Sequence, residues 1–319
     1  MPKIRRAVID VGTNSVKLLV ADVSGERNVT PVLEDSEQTR LGAGFYETHR
    51  LQAKAIVKTA RAVASFARQA RLMNATSVRV IATSAARDAT NSTDLTAALE
   101  HAAGVKAEII SGEQEAQMAF RGVTSSEEMA RQPLLLLDVG GGSTEFILGQ
   151  GEQMHFCESF PIGVLRLLEV LPHDTWPTAR QLAECRHWVA DFLESEVRPR
   201  LAPALTREKR LDSEHRAVQL VGTGGTATIL ARMEAQLTRF KRARIEATRL
   251  SFEQVHGQVE RLWGMSLTKR KRVVGLPKKR ADVILPGVVI YEGVMERFGF
   301  SKMRVSTRGL RFAAVMEAA

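Results

Sequence analysis

Asp138 and Glu145 bracket three consecutive glycines, Gly140, Gly141 and Gly142, in the stretch LLLLDVGGGSTEFILG that spans residues 134–149. A glycine turn lets backbone N–H groups close on an anion with no side chains in the way, and a run of such donors forms a nest for phosphate. Carboxylates at both ends of that turn would repel a phosphate unless a cation or a water lay between them. The pattern therefore points to metal-assisted phosphate chemistry, with Ser143 and Thr144 as further donors. The plainer reading is a tight hairpin whose carboxylates face solvent, since isolated glycine turns are common.

Repetition favours the phosphate reading. AVIDVGTNSVKLLV, residues 7–20, places Asp10 at the end of an apolar run, follows it with Gly12, Thr13, Asn14 and Ser15, and then enters a second apolar run. Asp10 and Asp138 thus occupy equivalent positions in two related halves. A third turn, Gly222, Thr223, Gly224, Gly225 and Thr226, opens an apolar helix over 227–235. Free N–H groups and the helix dipole both favour an anion there, although a simple strand–helix turn would have the same composition.

These residues need elements to hold them. Four leucines at 134–137, bounded by Gln132-Pro133, read as a strand buried on both faces. With residues 146–148 they make a hairpin, as do 7–11 and 16–23. Residues 51–70 carry Ala, Ile, Val and Phe at helical spacing with Arg and Lys opposite, an amphipathic helix. Residues 78–82 form a strand, followed by a polar turn at 83–91 that opens a helix continued by 92–100. Arg87 in that segment is either a phosphate ligand or a helix-surface residue, and composition alone favours the surface. A short strand at 108–111 precedes a helix beginning with Glu113, Gln114 and Glu115, whose acids are ordinary complements of the helix dipole. The polar stretch 122–132 lacks apolar periodicity and marks a domain boundary. Beyond it, 159–171 reads as a turn entering a helix that carries Arg166, 178–197 as one long amphipathic helix, 252–265 and 281–298 as further helices, and 303–306 as a closing strand.

At 319 residues the chain has room for two domains. Its 44% hydrophobic and 25% charged residues are those of an ordinary globular protein. No apolar run approaches the roughly 20 residues of a membrane span, and the basic start runs directly into a strand pattern with no signal peptide. Two cysteines give no disulfide framework, and seven scattered histidines give no zinc spacing, which fits a reducing cytoplasm. The net charge of +9 attracts polyanions, with basic residues concentrated at 239–249 and 269–280; each of those lysines taken singly reads as solvated surface. Aromatic residues are only 5% and are not interleaved with the basic ones, which weighs against base-stacking recognition of nucleic acid.

Taken together, AVIDVGTNSVKLLV, ATSAARDATN, IISGEQEAQMAF, LLLDVGGGSTEFILG, FPIGVLRL, LVGTGGTATILA, RADVILPGVVI and STRGLR resemble the exopolyphosphatase/guanosine pentaphosphate phosphatase family, in that family's order and over nearly the whole chain. The resemblance implies an α/β fold of two actin-like (ribonuclease H-like) domains with an interdomain cleft. The first would cover 1–121, with a C-terminal helix at 307–319 packing back on it, and the second 122–306. It also implies the short form of the family, without the extra C-terminal domains of long members. The implied reaction is Mg²⁺-dependent (or another divalent cation) hydrolysis of a terminal phosphoanhydride, with orthophosphate released.

Glu115 falls on the last glutamate of the family's SGxEEA segment, the general base, while Gln114 replaces the glutamate many members have before it. Asp138 and Glu145 match the carboxylates around the magnesium-dependent phosphate loop, with Asp10 their counterpart in the first half, and Arg87 matches the family's arginine. Arg311 is followed by Phe312-Ala313 where members have Glu-Gly, so no ligand role carries over there. Whether Glu115 or Glu145 contacts the attacking water stays open. Inorganic polyphosphate is the expected substrate, with guanosine pentaphosphate, a (p)ppGpp-type polyanion of the stringent response, as the alternative. An actin-like nucleotide-binding scaffold or phosphotransferase, or a non-catalytic polyanion binder, are the readings from other classes. The oligomeric state, a homodimer included, is open.

Overall fold

The structure, a computed structural model, describes residues 3–25, 28–211 and 217–317. The chain divides into two units: 1–125, 140–142 and 308–319 form the first, and 126–139 with 143–307 form the second.

The first unit is built on a five-stranded sheet of β1 (Ile4–Val11), β2 (Val16–Ser24), β3 (Asn28–Glu37), β4 (Ser77–Ala82) and β5 (Ala107–Ile109), in the order β3-β2-β1-β4-β5. The second is built on β6 (Leu134–Val139), β7 (Thr144–Gln150), β8 (Gln153–Phe160), β9 (Gln219–Thr223), β10 (Arg249–Ser251) and β11 (Lys302–Val305), in the order β10-β11-β9-β6-β7-β8. In each sheet a hairpin and a third strand pair antiparallel, and the first strand of the hairpin then takes a parallel neighbour. The duplication visible in the two Asp-x-Gly turns therefore extends through five strands, with β10 an addition to the second copy. This is the duplicated actin-like α/β arrangement.

Burial explains the strands. Leu134–Leu137 are at most 1% exposed, and each leucine taken out of water contributes about 1.5–3 kcal/mol. Residues of β1 alternate between two clusters. Ala7, Ile9 and Val11 face the helix Ala53–Leu72, whose inward residues Ile56, Val63, Phe66 and Ala70 recur at helical spacing. Val8 faces Leu19, Phe312 and Val315 on the opposite side. There the helix Leu310–Met316 packs against the helix Gly112–Thr124, and a Cβ on Gly122 would run into the backbone of Gly309.

Several elements differ from the sequence expectation. The polar turn and helix expected over 83–100 resolve into a four-residue helix, Ser84–Arg87, and a separate one, Ser92–Ala103. The helix expected to end at 197 passes through a five-residue π-helical segment, Leu193–Val197, and continues as Arg198–Leu211. Ser159, expected in a turn, is in β8 opposite Glu145. β3 and β8 carry no clear period-two pattern: half of β3 is exposed with only one buried residue, and most of β8 is half-buried. Pro31 in β3 sits where the register with β2 shifts, the place an edge strand tolerates proline. Within the basic stretch 269–280, Arg270 is not surface at all: it is fully buried, and donates from Nε to the Ala281 carbonyl (3.0 Å) and from Nη1 to that of Met265 (2.9 Å).

Candidate active site

In the first unit, the turn between β1 and β2 is closed by the Gly12 N–H donating to the Ser15 carbonyl at 3.0 Å. The loop 40–42 pins it from outside, with the Arg40 and Gly42 N–H groups donating to the Asn14 and Thr13 carbonyls. The side chain of Asn14 accepts from Gln38 (3.2 Å). The Thr13 hydroxyl accepts from the Ala85 N–H (3.3 Å), which ties this turn to the helix Ser84–Arg87. Gly140–Gly142 group with the same unit: a Cβ on Gly141 would stand 2.9 Å from that of Thr13, and one on Gly142 would meet the hydroxyls of Ser84 and Tyr46. Ser84 Oγ is buried and makes no hydrogen bond to the described residues.

Arg87, at the end of that short helix, donates from Nη1 to Glu115 Oε2 and to the Ile110 carbonyl, both at 3.2 Å. Glu115 lies in the first turn of Gly112–Thr124, and its side chain remains 15% exposed. The preceding residues set its place. Ser111 accepts from the Gln114 N–H (3.1 Å) while the Gln114 side chain accepts from the Ser111 N–H (2.9 Å), a complete capping box. Ser111 is thus the N-cap and Gln114 its N3 partner, a pairing that the Ser-x-x-Gln spacing at 111–114 carries in the sequence.

The sheet registers place the charged residues of both hairpins. Asp138 pairs directly with Glu145 across β6 and β7, as Asp10 pairs with Lys17 across β1 and β2. The Asp10–Lys17 pair is of opposite charge, and its Lys17 Nζ lies 3.5 Å from Asp10 Oδ2. The Asp138–Glu145 pair puts like charges directly opposite each other, an unfavourable cross-strand pairing. Glu145 is 1% exposed, and its Oε1 accepts from the hydroxyls of Ser143 and Ser159, each at 2.8 Å. Thr144 is buried and donates to the Ile162 carbonyl, which anchors the hairpin.

The third glycine turn belongs to the second unit. Gly224 has φ +78°, the left-handed region, and a Cβ there would collide with Asp138 Oδ1. The Thr223 hydroxyl donates to the Ser306 carbonyl (3.1 Å), and Thr226 packs on Gly287. Their side chains hold the loop, so an anion at the start of Gly224–Glu234 would meet backbone N–H groups. Arg280 adds a guanidinium, with Nη2 3.9 Å from where a Gly225 Cβ would lie. Beneath the loop the Tyr291 hydroxyl, fully buried, lies 3.1 Å from both the Leu137 and Thr223 carbonyls. Burial, and then the charge of Asp138, push its pKa well up. Ser159 and Tyr291 had no functional signal in the sequence, because each takes its place through tertiary contacts and lies outside a glycine turn; Ser84 and Arg280 lie within the motif segments, which do not single them out. Arg166 is half-buried on the helix Val164–Val170.

A family model described as the Ppx/GppA phosphatase family matches residues 19–317. The chain belongs to the Ppx/GppA phosphatase family. Exopolyphosphatase 2 of Mycobacterium tuberculosis is 34% identical over 314 residues, covering 95% of this chain and 94% of that protein. Guanosine-5'-triphosphate,3'-diphosphate pyrophosphatase of Aeromonas hydrophila is 27% identical, over 96% of this chain but 57% of its own length. The crystal structure of the Aquifex aeolicus Ppx/GppA member superposes with a TM-score of 0.77 at 27% identity, covering 99% of this chain and 97% of that one. Membership carries the reaction class: these phosphatases are hydrolases of phosphoanhydride bonds, and the chain is an enzyme of that class. Among the described residues no helix is long and apolar enough to cross a membrane.

Proposed function

We propose that this Ppx/GppA phosphatase is an exopolyphosphatase that removes orthophosphate from the end of inorganic polyphosphate. The observation that carries the reading is the end-to-end match to an exopolyphosphatase, with nearly all of both chains aligned. The net charge of +9 suits a polyanionic substrate. Backbone N–H groups of the 12–15 and 140–142 turns would cradle the terminal phosphates in the first unit. Those of Gly224–Thr226, with Arg280, would take phosphates in the second.

Glu115 is the general base. It accepts a proton from a water as that water's oxygen bonds the terminal phosphorus, the bridging P–O bond breaks, and the shortened chain leaves on its oxygen. Arg87 fixes the carboxylate through Oε2. Glu115 suits this role better than Glu145 because it is the more accessible of the two. Mg²⁺ would be held by Asp138 and Glu145, carboxylates paired on neighbouring strands, since Mg²⁺ is commonly held by one or two carboxylates together with substrate phosphates. When bound it would offset phosphate charge. At Asp10 the positive partner is already Lys17. Neither cysteine is in a disulfide, which supports a cytoplasmic site of action.

Phosphate release from polyphosphate and from guanosine pentaphosphate, measured side by side in Mg²⁺ and in EDTA, tests the reading. Faster release from polyphosphate, abolished by EDTA, is expected. Release from pentaphosphate alone would assign the alternative substrate, and release from neither, with ATP turned over instead, would assign the phosphotransferase class.

A further inference from the structure

Asp138, Glu145 and Ser159 stand in one row across β6, β7 and β8, because the registers pair Asp138 with Glu145 and Glu145 with Ser159. Paired residues in antiparallel strands project from the same face. The first unit repeats the row as Asp10, Lys17 and Ser36 across β1, β2 and β3. Asp and Ser are common to both rows, and the middle residue changes from a cation to a carboxylate. A long ammonium beside Asp10 is oriented by that carboxylate. A buried carboxylate beside Asp138 is repelled by its neighbour and needs hydrogen-bond donors of its own. Glu145 finds two, the hydroxyls of Ser143 and Ser159, both on Oε1 at 2.8 Å.

We infer that Ser159 is a positioning residue for Glu145. A carboxylate is planar and rigid, so two donors converging on Oε1 fix the direction in which Oε2 points. Ser143 belongs to the phosphate turn itself. Ser159 is in the neighbouring strand and acts only through Glu145. A misplacement of about 1 Å at a reacting centre can cost on the order of 10²-fold in rate, which makes such a support consequential. The inference rests on the reading of Glu145 as a cation ligand in phosphate release.

The test compares Ser159→Thr with Ser159→Val, two side chains of nearly one shape that differ by the hydroxyl, both suited to a strand. Wild type and Ser159→Thr should share kcat within about 3-fold, while Ser159→Val loses about 10- to 100-fold in kcat with KM for polyphosphate unchanged. Binding of Mn²⁺, followed by electron paramagnetic resonance as a stand-in for Mg²⁺, gives a readout apart from turnover: it should weaken in Ser159→Val and hold in Ser159→Thr. Equal kcat and equal Mn²⁺ binding in the two variants would overturn the inference. Equal loss in both would also overturn it, since strand packing rather than the hydroxyl would then be responsible. Failure of the underlying reading looks different: a Glu145→Gln protein with the wild-type rate would remove the role of Glu145 and this inference with it.

Discussion

The hydroxyl of Ser84 is a small group in an unusual position. It is buried beside Thr13 and Gly142 and makes no hydrogen bond to the described residues, an arrangement that costs about 1–3 kcal/mol when nothing satisfies it. A phosphate oxygen of the substrate would satisfy it. Ser84→Ala should therefore raise KM for polyphosphate several-fold while leaving the melting temperature unchanged or higher; a lower melting temperature with unchanged KM would assign the hydroxyl a purely structural role. At this scale sequence and structure agree on the two hairpin turns and on the helix start that carries Glu115. They part over partners. Arg87 reads from composition as helix surface, yet its guanidinium holds Glu115, and that contact joins residues 28 apart through the fold. Arg270 reads as one more solvated cation and is instead buried, its charge met by two carbonyls that no local pattern announces.

Among the elements, the helix bearing Glu115 begins where the capping box of Ser111 and Gln114 fixes it. Gln114→Ala removes the capping-box partner of Ser111 and should lower the melting temperature, with the phosphate-release rate of the folded enzyme retained. A large loss of rate with unchanged stability would instead make Gln114 part of the chemistry.

In the helix Ala179–Phe192 burial, and secondarily Glu292, push the Cys185 thiol up to about 12. An acid whose folded pKa lies above its ordinary value makes the folded state lose stability as pH rises: its contribution is complete below about pH 9 and is lost from there toward 12. Denaturant titrations across that range should show a steeper decline for the wild type than for Cys185→Ala, and identical slopes would contradict the assignment. The hairpins and the leucine strand were legible because their signals are local. β3 and β8 were not, because a half-buried strand at a sheet edge has no need of strict alternation. The break between Ser84–Arg87 and Ser92–Ala103 was hidden for a related reason: polar residues at 88–91 suit a helix surface and a connection equally.

Over the whole molecule the duplicated strand order is the deepest regularity, and two Asp-x-Gly turns announce it in the sequence. What the duplication does not preserve is charge. One half keeps Asp10 against Lys17, and the other sets Asp138 against Glu145. The grouping of Gly140–Gly142 with the first unit, where sequence order places them in the second, is a property of the tertiary fold alone.

The central claim is that Glu115 readies the water. Phosphate release from polyphosphate by wild type and by Glu115→Gln, at equal folded concentration and saturating Mg²⁺, tests it most directly. The predicted result is a fall of roughly 10²–10⁴-fold with polyphosphate binding and melting temperature unchanged; a Glu115→Gln protein that releases phosphate at the wild-type rate would contradict it.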